Sequence, residues 1–466
     1  MATTQSMSSG VQATEAPTLQ GHWLLGRLND VRKDPLAFFL KAQEEAGEGD
    51  VVQAPFLWVK VFLLYNPDAL YHVLVKNASN YYKGTRGYEK LRHLLGNGLV
   101  TSEGDFWRRQ RRIAQPAFHR QKLEGFAATM AQAADDLSQK WETIAQQGKT
   151  LDLAEEMMRL TLRIAGETLF STDISKDSDD FGKYLSIGLE HFNYIASHPI
   201  PKYEYLPMPH NLRFWNAVRK LKKMTWALIQ ERRESGEEHE DLLSMFMHAR
   251  DEETGEQMSD QQLLDEVFTM LGAGHETTAN ALSWTLYLMT QHPDALEKVA
   301  QEADRVFGDR LPTMADFKEL TYTKQVVQES MRLYPPVWAI AKTSREDDVI
   351  NGHSVPGGTH LYMSVYAIHR NPKYWEDPNE FRPERFEPEA LEKMKKLGRF
   401  QFMYMPFSQG QRKCIGDHFA MLENVLIFAS LARKFKFNLT PGAVIEPEPT
   451  LTLRPKYGIP ATLTLR

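Results

Sequence analysis

Cysteine is nearly missing from this chain: 466 residues contain one, Cys414, and a single thiol excludes a disulfide scaffold. Charge of one sign is missing too. Lys and Arg number 55 against 61 Asp and Glu, a formal charge of -6, so no overall field draws the chain to nucleic acid and any basic patch must be local. No apolar run reaches the roughly 20 residues that a membrane-crossing helix needs; Phe56 to Tyr65 comes nearest, and Lys60 interrupts it. The opening residues 1–18, rich in Ser, Thr, Ala and Gln, have neither the basic start nor the apolar stretch of a secretion signal. They are expected to form a loose tail on a cytoplasmic protein. Internal repeats, low-complexity linkers and long runs of like charge are also lacking, which leaves 19–466 as one integrated domain.

What is present is a globular composition, 42% hydrophobic and 25% charged, with a helical pattern. Apolar residues recur at three- and four-residue spacing through about 105–119, 121–147, 151–171, 180–196, 211–235, 259–290, 292–307, 322–334 and 415–434. Asp34-Pro35-Leu36 reads as a helix start. Strand-like segments are confined to about 50–66, 337–365 and 436–466, the second broken by Asn351-Gly352 and Pro356-Gly357-Gly358. The expected class is therefore mainly α with a smaller β part. Between 369 and 413, Pro372, Pro378, Pro383, Pro388 and Pro406 interrupt a stretch without periodicity. So long an irregular segment inside a compact domain needs something to hold it.

Cys414 stands in Pro406-Phe407-Ser408-Gln409-Gly410-Gln411-Arg412-Lys413-Cys414-Ile415-Gly416, just before the last helical run. A thiol at a helix N-terminus meets unpaired backbone N–H groups, and Arg412 and Lys413 add positive charge, so the thiolate is favoured as nucleophile or metal ligand. By itself a lone cysteine is as readily a small buried hydrophobe. Its neighbours argue otherwise: Gly410 and Gly416 permit a bulky planar group to approach, Phe407 can pack beside the sulfur, and Arg412 can pair with a carboxylate. A cysteine hydrolase would use His418, one turn along, as base, but no triad or oxyanion-hole pattern accompanies it. His275-Glu276 would open a zinc-protease motif only with a second His at 279, where the chain has Ala279.

Three more segments break local rules or pair charges. In the 259–290 run, Gly272 and Gly274 each cost about 1 kcal/mol relative to Ala, and Glu276 lies among apolar residues. Glu329 and Arg332 share a helix face at i, i+3, on its own a weak surface pair. Trp107 and Arg111, four apart, share a run with Arg108, Arg109 and Arg112, on its own a solvated basic face.

In this order along the chain, these segments resemble the cytochrome P450 family. Phe407-x-x-Gly410-x-Arg412-x-Cys414-x-Gly416 matches the family's haem-binding signature at all five fixed positions. The resemblance implies haem b with the Cys414 thiolate as proximal iron ligand, pushing electron density toward the iron, and Ala273, Phe407 and Gly416 beside the cofactor. Ala273-Gly274-His275-Glu276-Thr277-Thr278 is similar to the family's oxygen-binding groove, which implies Thr277 in the oxygen hydrogen-bond network and Glu276 as proton relay. Glu329-x-x-Arg332 together with Arg385 of Pro383-Glu384-Arg385-Phe386 resembles the structural network that locks the cysteine loop. Trp107-x-x-x-Arg111 and Arg412 resemble the propionate clamp. Lys342 falls where many members carry a propionate-binding arginine, and lysine keeps that charge but loses the bidentate fork.

The same resemblance implies one large helix-rich domain with haem between the long central helix and the cysteine loop. It implies insertion of one atom of O2 into a lipophilic substrate, as hydroxylation or epoxidation, while the other atom becomes water. With no flavin or iron–sulfur module in the chain, electrons from NAD(P)H would come through a separate ferredoxin or flavodoxin and reductase, docking on a basic proximal face. The implied pocket comprises the 80–100 loop, the 188–205 region with Phe192 and Tyr194, and Ala273, Val337, Trp338, Ile340 and Leu451, suited to a fatty acid, terpenoid, steroid or aromatic. Peroxide-driven relatives often lack the acid–alcohol pair that Glu276 and Thr277 supply, so a peroxygenase and a non-catalytic haem sensor stand as alternatives. A monomer is expected.

Overall fold

Ser259 opens the longest helix. Its hydroxyl accepts from the backbone N–H of Gln262 while the Gln262 side chain accepts from the N–H of Ser259, a reciprocal cap that satisfies two orphan donors. The helix then runs Asp260–Gln291, 32 residues, or about 48 Å at 1.5 Å per residue. The computed structural model describes residues 13–47, 51–57, 59–172, 178–196, 202–237, 239, 241–250 and 255–466. Leu153–Phe170, Pro209–Ser235, Thr321–Leu333 and Asp417–Lys434 all pack on this central helix. It is consequently buried on nearly every side from Leu263 to Met289. Together these helices enclose the larger apolar core.

A second apolar cluster, built around Phe38, Phe39, Leu63, Ile340 and Leu361, underlies a five-stranded sheet. Its strand order is Val51–Phe56, Val59–Leu64, His360–Met363, Ile340–Ser344 and Tyr81–Tyr82, and only the pairing of Val59–Leu64 with His360–Met363 is parallel. The Asn351-Gly352 turn joins Asp348–Ile350 to His353–Val355 with both φ values positive, 49° and 82°, the geometry for which Asn-Gly is favoured. Near the C-terminus, Phe435–Leu439, Pro460–Leu465 and Thr150–Asp152 form a three-stranded sheet. Pro447–Pro449 and Leu453–Pro455 pair as a short hairpin.

The expected helical runs and strand segments recur with shifted ends. The first run stops as α-helix at Ala114 and tightens into a short 3-10 turn over Gln115–Phe118, where Pro116 cannot donate to the ladder. Several helices escaped the periodicity reading, the longest of them Arg86–Leu95, Leu242–His248 and Pro388–Lys396. Each is about three turns or less, too short to display a period. The segment expected as an 80–100 loop is thus about half helix, burying Leu91, Leu94 and Leu95.

The tail expectation needs correcting over its described part. The backbone of Thr14 bonds Gly352 and Ser354 at 2.9 Å, the N–H of Gln53 donates to the Pro17 carbonyl at 2.7 Å, and Ala16 is buried. Unpaired backbone at the edge of the Val51–Phe56 strand and the 351–354 turn gives this polar segment partners. Residues 1–12 of the expected tail lie outside the described residues.

Candidate active site

The loop that carries Cys414 is shaped by its own backbone. The N–H groups of Ser408, Lys413 and Cys414 donate to the carbonyls of Met405, Gly410 and Phe407 at 3.0, 3.1 and 2.9 Å. Gly410 has φ 75°, and a Cβ there would lie 2.0 Å from the Leu74 carbonyl oxygen. Glycine is required at this position by the approach of the chain to itself. At Gly416 a Cβ would meet only the Phe118 ring, at 3.7 Å. Cys414 precedes the N-cap of Asp417–Lys434, which is Gly416.

Cys414 is set deep in the protein yet keeps accessible surface, so its sulfur faces an interior space. Burial pushes the thiol pKa up; the Gly416 backbone N–H opposes this, the Asp417 charge adds to it, and Arg111 and Lys413 oppose it again. The expected preference for thiolate is therefore not met by the chain alone. Lys413 is committed to Asp417 and Arg412 to Glu103 at 2.8 Å, so neither cation is available in full to the sulfur. A metal ion on the sulfur would supply the positive charge that is lacking.

The central helix opens along one strip. Between Asp265 and Leu286 only Ala273, Gly274 and Thr277 are half-buried, and every other residue is buried. The three share a face. A Cβ at Gly272 or Gly274 would meet nothing nearer than Leu95 at 3.9 Å or Leu169 at 3.8 Å, so packing of the chain itself does not demand glycine at either. Thr277 Oγ donates to the Ala273 carbonyl at 2.8 Å and Thr278 Oγ to the Gly274 carbonyl at 3.1 Å.

Glu276 is turned elsewhere. Its carboxyl accepts from Thr452 Oγ at 2.6 Å, on the side of the helix that meets the C-terminal hairpin. Burial pushes its pKa up to about 7, against the opposing pull of Thr452 and Arg454. His275 is a satisfied core histidine, its Nδ1 donating to the Leu271 carbonyl at 2.7 Å, and burial lowers its pKa to about 4.

Cations gather between Trp107 and the sheet. The Arg412 guanidinium lies 3.6 Å from the Trp107 ring centroid and donates to the Ser102 carbonyl at 3.0 Å. Lys342 is buried and makes no side-chain hydrogen bond or ion pair among the described residues; burial lowers its pKa to about 8, Glu103 opposing and Arg412 reinforcing. Lys83, which the sequence reading missed, is set deep but still accessible, and burial followed by the charges of Arg412 and Lys342 holds its pKa well below the usual range. Among the described residues, Glu103 is the one carboxylate acting on this group of cations. Such a surplus of buried positive charge fits a ligand with carboxylates, and with the accessible sulfur of Cys414 it fits haem. Arg111, expected at a propionate, donates through Nη1 to the Lys413 carbonyl at 2.7 Å, bracing the cysteine loop.

Glu329, Arg332 and Arg385 come together as expected. Arg332 Nε and Nη2 donate to the Glu329 carboxylate at 2.7 and 2.8 Å, and Arg385 Nε lies 3.4 Å from the same carboxylate. The expected pocket residues fall in the two apolar clusters and at the surface. Phe192 and Leu451 pack half-buried against the helical core, and Val337 is 36% exposed. Ile340 and Trp338 belong to the sheet's apolar cluster, Trp338 meeting the Phe39 ring at 6.0 Å. Tyr194 is 45% exposed, its ring 4.8 Å from His210 and 5.9 Å from Tyr203.

A family model described as cytochrome P450 matches residues 16–461. This chain belongs to the cytochrome P450 family. Among curated relatives of this cytochrome P450, cyclooctat-9-en-7-ol 5-monooxygenase of Streptomyces melanosporofaciens is 35% identical, over 91% of this chain and 89% of that protein. Pentalenene oxygenase of Streptomyces avermitilis is 29% identical, covering 95% and 96%. The crystal structure of the cytochrome P450DA heme domain superposes with TM-score 0.86 at 27% identity, covering 97% of this chain and 98% of that one. The P450 is an oxidoreductase of the haem-thiolate monooxygenase class, and no helix among its described residues is long and apolar enough to cross a membrane.

Proposed function

We propose that this P450 hydroxylates or epoxidises a largely hydrocarbon ring compound, with Cys414 as the iron ligand and electrons delivered by a separate carrier. The observation that carries the reading is Cys414, deep in the chain yet accessible, on the same loop as Arg412 of a buried cation cluster that a single carboxylate leaves in excess. Haem, when bound, supplies the activation of O2 and the delivery of one oxygen atom to the substrate.

The chain's own residues divide the remaining work. Arg412 and Lys342, with Lys83 beside them, would hold the haem carboxylates, and Trp107 fixes the Arg412 guanidinium by cation–π contact. Thr277 presents its hydroxyl on the half-open strip of the central helix, where it can leave the Ala273 carbonyl to hydrogen-bond a small molecule lying there. Glu276, with a pKa pushed up to about 7, can take or give a proton near neutrality. Glu329, Arg332 and Arg385 hold the segment that leads into the cysteine loop. Relatives named for cyclooctat-9-en-7-ol and pentalenene support an apolar cyclic substrate, and Phe192, Ala273 and Leu451 suit one.

Helix Gly104–Ala114 exposes Arg108 and Arg112 beside a cleft that also includes Arg111, Gln115 and His119. That basic surface suits an acidic ferredoxin or flavodoxin, served by an NAD(P)H-dependent reductase. An absorption spectrum of the dithionite-reduced protein under carbon monoxide tests the central ligand. The expected result is the strongly red-shifted Soret band of thiolate-ligated haem, lost in Cys414→Ala; a folded, haem-reconstituted protein without that band overturns the reading. Substrate-dependent NADPH consumption with an added ferredoxin and reductase, matched by oxygenated product, separates the monooxygenase from a peroxide-driven enzyme or a sensor.

A further inference from the structure

Three residues on one face of the central helix hold the turn of the C-terminal hairpin. Thr452 Oγ donates to Glu276 at 2.6 Å and accepts from Asn280 Nδ2 at 3.1 Å, and Trp284 Nε1 donates to the Leu453 carbonyl at 2.9 Å. Positions 276, 280 and 284 are spaced four apart and therefore line a single face, which adjoins the Ala273–Thr277 strip, about 40° around the axis. From the opposite side, Trp338 Nε1 donates to the Thr450 carbonyl at 2.8 Å, and the Leu453 N–H donates to the Pro336 carbonyl at 2.9 Å.

The hairpin cannot position itself. Its strands, Pro447–Pro449 and Leu453–Pro455, are three residues each, and an isolated two-stranded ribbon is marginal even when longer. Inside the turn, Thr450 spends both its N–H and its hydroxyl on the Thr452 carbonyl, at 2.9 and 2.8 Å. Thr450 and Thr452 are buried, and Leu451, between them, packs against the helical core. The two tryptophans grip main-chain carbonyls, which any residue would offer. The contacts that depend on side-chain identity are those of the Thr452 hydroxyl, which accepts from Asn280 and donates to Glu276.

We propose that Glu276 latches the hairpin turn through Thr452, and that this latch sets the position of Leu451 and with it the size of substrate the pocket accepts. One carboxyl oxygen suffices to accept from Thr452 whether or not the group carries a proton, which leaves the other oxygen for proton exchange. Latch and relay are then separable by substitution. Thr452→Val removes the donor and keeps the acid; Glu276→Gln keeps an acceptor and removes the acid. The inference rests on the haem-thiolate reading above and on Leu451 as a pocket residue.

Azole titration of the haem-loaded protein, read from the Soret shift, tests the latch without knowledge of the substrate. Imidazole senses the iron alone, and bifonazole senses iron and pocket together. Thr452→Val is expected to change the ratio of bifonazole to imidazole affinity at least fivefold with imidazole affinity unchanged, Thr452→Ser and Glu276→Gln keep the wild-type ratio, and Glu276→Ala loses it. A wild-type ratio in Thr452→Val, or an equal change for both azoles, overturns the latch. If Thr452→Val does not fold, the Glu276 pair decides alone: matching ratios in Gln and Ala overturn it. No azole-induced shift in the wild-type protein overturns the haem reading itself, and this inference with it, so the two failures are told apart.

Discussion

Arg332 has no exposed surface, nor has Glu329 beside it. A buried guanidinium is tolerable because all five of its N–H directions are filled: two by Glu329 and one each by the carbonyls of His369, Pro378 and Glu380, at 2.6 to 3.0 Å. Its flat face lies 5.1 Å from the Trp375 ring centroid. Lysine keeps the charge but has three donors and no fork. Arg332→Lys is therefore expected to destabilise the fold by about 3 kcal/mol, the lower end for a broken buried pair, measured by urea unfolding of the holoprotein; a loss below about 1 kcal/mol would contradict the five-donor account. The i, i+3 spacing of Glu329 and Arg332 is legible in the sequence, but as a weak surface pair. Three of the five acceptors come from the aperiodic segment, whose carbonyls no side-chain pattern reports. The same limit applies to Cys414, where the cationic neighbours are visible in the sequence and their commitment to Glu103 and Asp417 is not.

Elements show where periodicity carries information and where it stops. The central helix is legible in length and start, from its apolar spacing and from Ser259, yet burial on every side hides which face does what. Glu276 and Thr277, adjacent in sequence, stand about 100° apart around the axis; one meets the hairpin and the other the half-open strip. The resemblance to a known family named the pair, and only the packing separates their surroundings. The cysteine loop is the converse case. Its glycine at 410 is legible as punctuation, but its cause is the Leu74 carbonyl from a distant segment. With φ 75° and a Cβ position 2.0 Å from that oxygen, Gly410→Ala must either displace the loop or move the His72–Lys76 turn. The expected outcome is a strained residue costing about 1 to 3 kcal/mol, plus a lower fraction of protein showing the thiolate-type carbonyl band at equal haem supply. Full haem occupancy with unchanged thermal unfolding would show that the loop has slack the geometry does not suggest.

Across the whole molecule, buried titratable groups of two kinds oppose each other in pH. Burial lowers His191 and His275 to about 4 and His369 to about 3, so below about pH 6.5 the unfolded chain binds protons that the folded chain refuses, and stability falls toward acid. Burial raises Glu276 to about 7, Glu266 to about 8, and Glu423 well above its ordinary value. Above about pH 4.5 the folded chain keeps protons that the unfolded chain has released, and stability falls toward alkali. Between those limits the two sets offset one another. Below them, the carboxylates held down by partners, Asp316 at about 2 with Glu156, Asp241 and Asp348, join the histidines in the acid loss. Thermal stability of the holoprotein is therefore expected to be flat from about pH 4.5 to 6.5 and to decline on both sides. On the alkaline side Glu266 alone accounts for roughly 1.5 kcal/mol between pH 6.5 and 8. Its Oε2 accepts from the Leu99 N–H at 3.0 Å while Oε1 has no partner, so Glu266→Gln keeps the hydrogen bond and removes the titration. The variant should lose stability more slowly than the wild type as pH rises from 6.5 to 8; parallel declines would mean that Glu266 is not the group being titrated.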